Sequence, residues 1–211
     1  MASIFNVDNA FFRFMAKVCD VFFMSILWLT CSLPIVTAGA ASAALNAIAL
    51  RAVRNEEGYI FRSFFKAFAK YFKRATQIWL MFLAGAAVLG GDMLFFYRMG
   101  TWAGALGAGV AFFLLLLLGL TMMIVFHDLV WFDKSVKATW IHSFKGALGF
   151  LPYSIALLVM FGAMAYGIYV SVGLMVFLTI FGAGLFGYVS AYLWRRVFDK
   201  LEVGAIEKTS I

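Results

Sequence analysis

The sequence predicts an all-α, polytopic membrane protein: a bundle of five or six transmembrane segments with one cytoplasmic amphipathic helix at the membrane interface. Three observations predict it. Apolar residues make up 65% of the chain and charged residues 13%, with a mean hydropathy of +0.98; a soluble domain carries roughly 45–50% and about 25%. The charges are also segregated, since residues 99–126 and 146–194 contain no Asp, Glu, Lys or Arg. A span needs about 20 predominantly apolar residues, so the first run holds one and the second holds two. Finally, the cations collect in segments separated by even numbers of spans.

The first apolar segment, about 11–33, carries Arg13, Lys17 and Asp20 near its start. No small-residue cleavage site with a soluble mature domain follows, so it reads as a span and not as a cleaved signal peptide. Cys19 and Cys31 are the chain's two cysteines. Within an apolar helical pattern they read as small buried hydrophobes, not as a disulfide or metal pair.

Pro34 interrupts this pattern, because it lacks an N–H and its ring crowds the preceding turn. The residues after it are small: Ala38, Gly39, Ala40, Ala41, Ser42, Ala43 and Ala44. Such a face lets helix backbones approach closely in lipid. One kinked span inside 21–47 fits, and so does a helical hairpin whose second segment is about 35–50. The hairpin is the expectation; it keeps the N-terminus on the inside and places Ile35 toward the external face.

The remaining segments are about 75–97, with Asp92 near its far end, then 102–126, 146–169 and 173–194, the last two joined by a charge-free turn. Cytoplasmic loops carry the excess of Lys and Arg. Residues 51–74 hold Arg51, Arg54, Arg62, Lys66, Lys70, Lys73 and Arg74. Residues 127–145 add Lys134, Lys137 and Lys145, and the tail adds Arg195, Arg196, Lys200 and Lys208. Arg98 alone falls in a loop on the opposite side. The C-terminus is therefore expected in the cytoplasm.

Residues 58–74 form the amphipathic helix. Phe61, Phe64, Phe65, Phe68 and Phe72 recur at helical spacing, and Arg62, Lys66, Lys70 and Lys73 form a second stripe. Rings that sink into the acyl boundary and cations that meet anionic headgroups make a membrane-interface helix. Packing of the Phe face on the protein's own bundle is the competing reading, and both can hold along one helix. Basic–aromatic interleaving can also make a nucleic-acid groove, but the net charge of +7 is accounted for by topology, so no nucleic-acid partner is expected.

Signals for chemistry are sparse. The stretch "GAGLFG" at 182–187 matches the dinucleotide fingerprint, which requires a preceding strand; inside an apolar span it reads as helix-packing glycine, as does "GTWAG" at 100–104. His127, Asp128 and His142 read as solvated residues at the two ends of one cytoplasmic loop, not as metal ligands. Asn46 and Gln77 read as helix–helix hydrogen-bonding groups. Nothing forms a nucleophile–base pair, so neither an enzyme nor a cofactor or metal site is expected.

The runs "LWLTCSLPIVTAGAASAAL" at 27–45 and "RNEEGYIFRSFFKAFAKYFKRAT" at 54–76, with the opening "FNVDNAFFRFMAKVCD", together resemble the YesL-like family of bacterial membrane proteins, a domain of unknown function common in Gram-positive bacteria. The core Leu33-Pro34-x-x-Thr37-x-Gly39 and the pair Glu56–Glu57 carry the resemblance. It implies a helical protein of the plasma membrane. It also implies a link to carbohydrate uptake and polysaccharide use, because members tend to be encoded beside sugar-importer and glycosidase genes. No catalytic residues carry over. The candidate functional motif is accordingly Ser32, Leu33, Pro34, Thr37, Gly39, Asn46, Arg54, Glu56 and Glu57. An accessory or regulatory component of a carbohydrate importer is the leading expectation, with anionic lipid and the importer complex as partners. A small-solute transporter or permease in its own right is the alternative.

Overall fold

The computed structural model describes residues 10–54 and 59–209, with side chains for 15–54 and 59–196. Every regular element among them is helical. Helix α1 (Ala10–Ser32) and α2 (Ala38–Val53) form a hairpin joined through one 3₁₀ turn, Ile35–Thr37. A second hairpin pairs α3 (Ile60–Arg98) with α4 (Trp102–Phe132). Helix α5 (Val136–Gly149) folds back over α4 and leads into α6 (Leu151–Val170). Then α7 (Val172–Phe177), a π-helical turn at Leu178–Gly182 and α8 (Ala183–Thr209) make one interrupted rod. Six helices among the described residues are long and apolar enough to cross a membrane. The first two apolar segments are therefore a hairpin and not one kinked span.

Local chemistry sets the breaks. Pro34 is extended (φ −76°, ψ 116°), and Thr37 Oγ1 reaches back to the carbonyls of Cys31 at 2.7 Å and Pro34 at 2.9 Å. Gly100, with φ 62°, turns α3 into α4, where glycine avoids the steric cost of the left-handed region. Thr101 then caps α4 by accepting from the Gly104 N–H at 3.1 Å. Pro152 opens α6 in its first turn, where a missing N–H costs nothing.

The Ala-rich α2 is the centre of the bundle. On one side Met24, Leu27, Leu45, Ile48, Phe64 and Ala191 pack together; on another Ala40 and Ala43 meet Tyr71, Ala75, Ile78, Val125 and Leu129. Small side chains let neighbouring backbones come close. A Cβ added to Gly39 would lie 2.7 Å from the Ala75 carbonyl oxygen. The fingerprint-like glycines do the same work: Gly184 donates its N–H to Ser25 Oγ at 2.8 Å just past the π turn, and Gly187 faces the Leu45 side chain.

Several expected boundaries move. From Ile60 on, the amphipathic segment expected at 58–74 is no separate helix: it is the first part of α3, 39 residues long, because no Gly or Pro interrupts the chain between it and the span. Residues 127–145 are no loop, since α4 runs to Phe132 and α5 starts at Val136. The segment expected at 146–169 begins at Leu151, after a break at Phe150. Cys19 is exposed and not buried, while Cys31 is half-buried; both are free thiols. An apolar position facing lipid has no need of burial in protein.

Candidate functional site

The densest polar arrangement lies where α4 ends against α2, α5 and α8. Neighbours on a helix point about 100° apart, so His127 and Asp128 address different partners. Asp128 is fully buried. Its Oδ1 is 2.5 Å from His142 Nδ1, and its Oδ2 accepts from Ser143 Oγ at 3.3 Å, both on α5. The His142 ring meets Phe132 edge-on, with 5.0 Å between centroids. His127, also buried, turns toward α8: its Nε2 lies 3.0 Å from Ser190 Oγ, which donates its own proton to the Gly187 carbonyl.

Beside His127 is a small pocket lined by Asn46 and Leu50 of α2, Val130 and Trp131 of α4, and Ala191, Trp194 and Arg195 of α8. Arg195 Nη1 donates to the Val53 carbonyl at 2.9 Å, a cation placed on the carbonyl end of α2 where the helix dipole favours it. The Arg54 guanidinium stacks 4.6 Å above Trp131.

A second cluster seals the same end of the bundle. Asp133, in the left-handed region at φ 50°, follows the last residue of α4. Arg74 Nη2 reaches Asp133 Oδ1 at 2.5 Å, while its Nη1 donates to the carbonyls of Asp133 and Lys134, each at 3.0 Å. Lys70 Nζ adds an ion pair to Oδ2 at 3.2 Å. Burial pushes the Asp133 carboxyl up, but the hydrogen bonds and charges of Lys70 and Arg74 outweigh it and hold the group below its ordinary value.

His127, Asp128 and His142 are thus brought together with Ser143 and Ser190, against the expectation of solvated loop residues. The apolar run resumes after the His–Asp pair as Leu129, Val130, Trp131 and Phe132, so α4 carries the pair inward. That resumption was the available signal. Among the described residues, Ser143 shares the Asp128 carboxyl group with His142, and Ser190 bonds the other histidine, His127. Among the described residues no group of three or more His, Cys, Asp or Glu could hold a metal ion.

The motif residues fall at opposite ends of α2. Ser32, Leu33, Pro34, Thr37 and Gly39 make the hairpin tip, with the Ser32 hydroxyl buried and unpartnered. Asn46 lines the pocket, and Arg54, stacked on the lining residue Trp131, is some 22 Å from Gly39 along the helix at ~1.5 Å per residue. Glu56 and Glu57 lie outside the described residues. Of the interface set, Phe64 is fully buried and Phe68 packs partly on the same cluster. Phe61, Phe65 and Phe72 face outward, as do Arg62, Lys66, Lys70 and Lys73, with Lys70 engaged by Asp133.

Residues 21–93 match the family model described as "Protein of unknown function, DUF624". The match takes in the second half of α1, the break at Pro34, all of α2 and most of α3, and stops before the His127–Asp128 pair. No curated protein and no solved structure matches the chain.

Proposed function

We propose that the chain is an accessory or regulatory component of carbohydrate uptake in a bacterial plasma membrane, with its cation-bearing end and C-terminus in the cytoplasm and with no reaction of its own. The resemblance of the Leu33–Gly39 core and the 54–76 stretch to YesL-like proteins supplies the carbohydrate link. The observation that carries the reading is geometric. The charged end is stitched into one unit by Arg74–Asp133, Asp128–His142 and Arg195–Val53, while Arg62, Lys66 and Lys73 point away from it. A rigid platform with outward cations suits anionic headgroups and a partner docked beside them.

Copurification in mild detergent tests this. Subunits of a carbohydrate importer are expected to accompany the wild-type protein and to be lost when Arg62, Lys66 and Lys73 become Gln, with the helical fold unchanged. A folded wild-type protein that brings down no importer subunit overturns the proposal. The hairpin broken at Pro34 favours the second reading, a small-solute transporter, because discontinuous helices can line transport sites. Sugar accumulation by sealed vesicles containing the purified protein alone would favour it over the first.

A further inference from the structure

The α1–α2 hairpin ends far short of the α3–α4 hairpin. Its tip is pinned to α3 by Trp79, whose Nε1 donates to the Ile35 carbonyl at 2.7 Å, and by the close approach of Gly39 to the Ala75 carbonyl. Ile35 is therefore level with residues 75–79 of α3, or a turn beyond. On one side of that level the next residue is Arg74, bound to Asp133, and the exposed stripe of Lys73, Lys66 and Arg62 follows. On the other side α3 continues to Arg98, about 28 Å beyond Trp79 at ~1.5 Å per residue.

The hydrocarbon slab, about 30 Å thick, fits between Arg74 and Arg98. Most outward residues there are apolar on both helices, among them Val88, Leu94, Leu106 and Phe113; the polar exceptions on α3, Gln77 and Asp92, sit toward the near and far boundaries. Shifting the slab until Ile35 reached its far boundary would sink Arg74 and the stripe into hydrocarbon, where charge is costly. It would also push most of the exposed apolar surface of α3 and α4 into water.

We propose that α1–α2 is a re-entrant hairpin: it enters and leaves the bilayer on the cation-bearing side, and its tip meets lipid acyl chains inside the membrane. The tip's surface fits that partner, with Leu33 77% and Ile35 69% exposed. Its backbone fits as well. Irregular backbone at membrane depth must find its hydrogen bonds within the protein, and here Thr37 Oγ1 serves Cys31 and Pro34, Thr37 N–H bonds the Pro34 carbonyl at 2.9 Å, and Trp79 takes that of Ile35. Pro34 itself has no N–H to satisfy. The position expected near the external face is thereby moved to the bilayer interior.

The inference rests on membrane insertion and not on which side is cytoplasmic. It is tested with the full chain in sealed vesicles, using Ile35→Cys, Ser135→Cys and Met99→Cys, each in a Cys19→Ser, Cys31→Ser background. A membrane-impermeant maleimide is expected to reach Ser135→Cys from one face and Met99→Cys from the other, and Ile35→Cys from neither until detergent is added. A nitroxide at position 35 is expected to respond to oxygen and not to a water-soluble nickel chelate. Labelling of Ile35→Cys from the Met99 side means a full crossing; labelling from the Ser135 side means a hairpin outside the hydrocarbon; either overturns the proposal. If Ile35→Cys does not fold, Cys19→Ser with native Cys31, one turn before the tip, carries the same test. Inverted sides for Ser135 and Met99 would overturn the cytoplasmic assignment and leave the re-entrant hairpin standing.

Discussion

The Asp128 carboxyl group binds two α5 side chains from a position with no exposure, so its removal leaves His142 and Ser143 without their partner. Asp128→Ala is expected to cost about 2–4 kcal/mol, toward the lower end for loss of a buried partner because His142 is partly exposed. A thermal melt in detergent reads this, and an unchanged melting temperature would show that α5 does not depend on the contact. Asp133 is the contrast. Its side chain is 45% exposed, so Asp133→Asn should cost no more than about 1 kcal/mol at neutral pH. Its folded-state pKa lies below the ordinary value, so the contribution is fully present above the unfolded carboxylate pKa of about 4 and is lost as pH falls through the lower, folded value. Acid melts of wild type and Asp133→Asn should therefore converge below pH ~4 and separate above it; curves that stay parallel throughout would contradict the latch. The partners of the two aspartates were not legible in the sequence; the apolar run resuming at Leu129 was the one signal that Asp128 lies inside a helix. A His–Asp pair beside a lysine-containing stretch looks like a solvated turn until the helix is seen to continue to Phe132.

Among the elements, α3 shows what periodicity reveals and what it cannot. The spacing of Phe61, Phe64, Phe65, Phe68 and Phe72 identified a helix and its ring-bearing face, but not which rings meet protein. Partners on α1, α2 and α8 decide that, and they come from distant parts of the chain. Phe64 is fully buried, so Phe64→Ala should destabilise the protein by about 3–5 kcal/mol, the range for truncating a core Phe. Phe61, 65% exposed, should lose under about 0.5 kcal/mol of fold stability on the same change, as surface positions do. Equal shifts in a detergent melt would mean that the face docks as a whole or not at all. The α1–α2 break was legible because Pro34 acts locally, and the small-residue face of α2 marked a helix that its neighbours approach closely. Its depth was not legible. A run of apolar residues long enough to span says nothing about which residues it pairs with, and the pairing of Gly39 with Ala75 sets the level.

For the whole molecule, charge segregation predicted the bundle's two ends before any contact was known, and the structure gathers Arg54, Arg74, Lys134 and Arg195 at one of them. How that end meets the membrane depends on α3 being one continuous helix. A stripe lying flat in the interface would hold Arg62, Lys66 and Lys73 at equal depth, and each cation would contribute about 1 kcal/mol toward an anionic surface. In a helix standing along the bilayer normal, Lys66 and Arg62 recede from Lys73 by about 10 and 16 Å at ~1.5 Å per residue. The Debye length at physiological salt is about 8 Å, so the attraction should fade along the stripe. Gln substitutions made singly in the full protein, in nanodiscs with and without anionic lipid, separate these geometries. The upright helix predicts that anionic lipid raises the wild-type melting temperature, that Lys73→Gln removes most of this increment, that Lys66→Gln removes less, and that Arg62→Gln removes least. Lowering the salt should bring Arg62 into play, because a Debye length near 30 Å at ~0.01 M ionic strength spans the whole stripe. Equal losses at all three positions at physiological salt would mean that the first part of α3 bends down onto the surface, and no lipid-dependent increment in the wild type would remove the headgroup from the protein's partners.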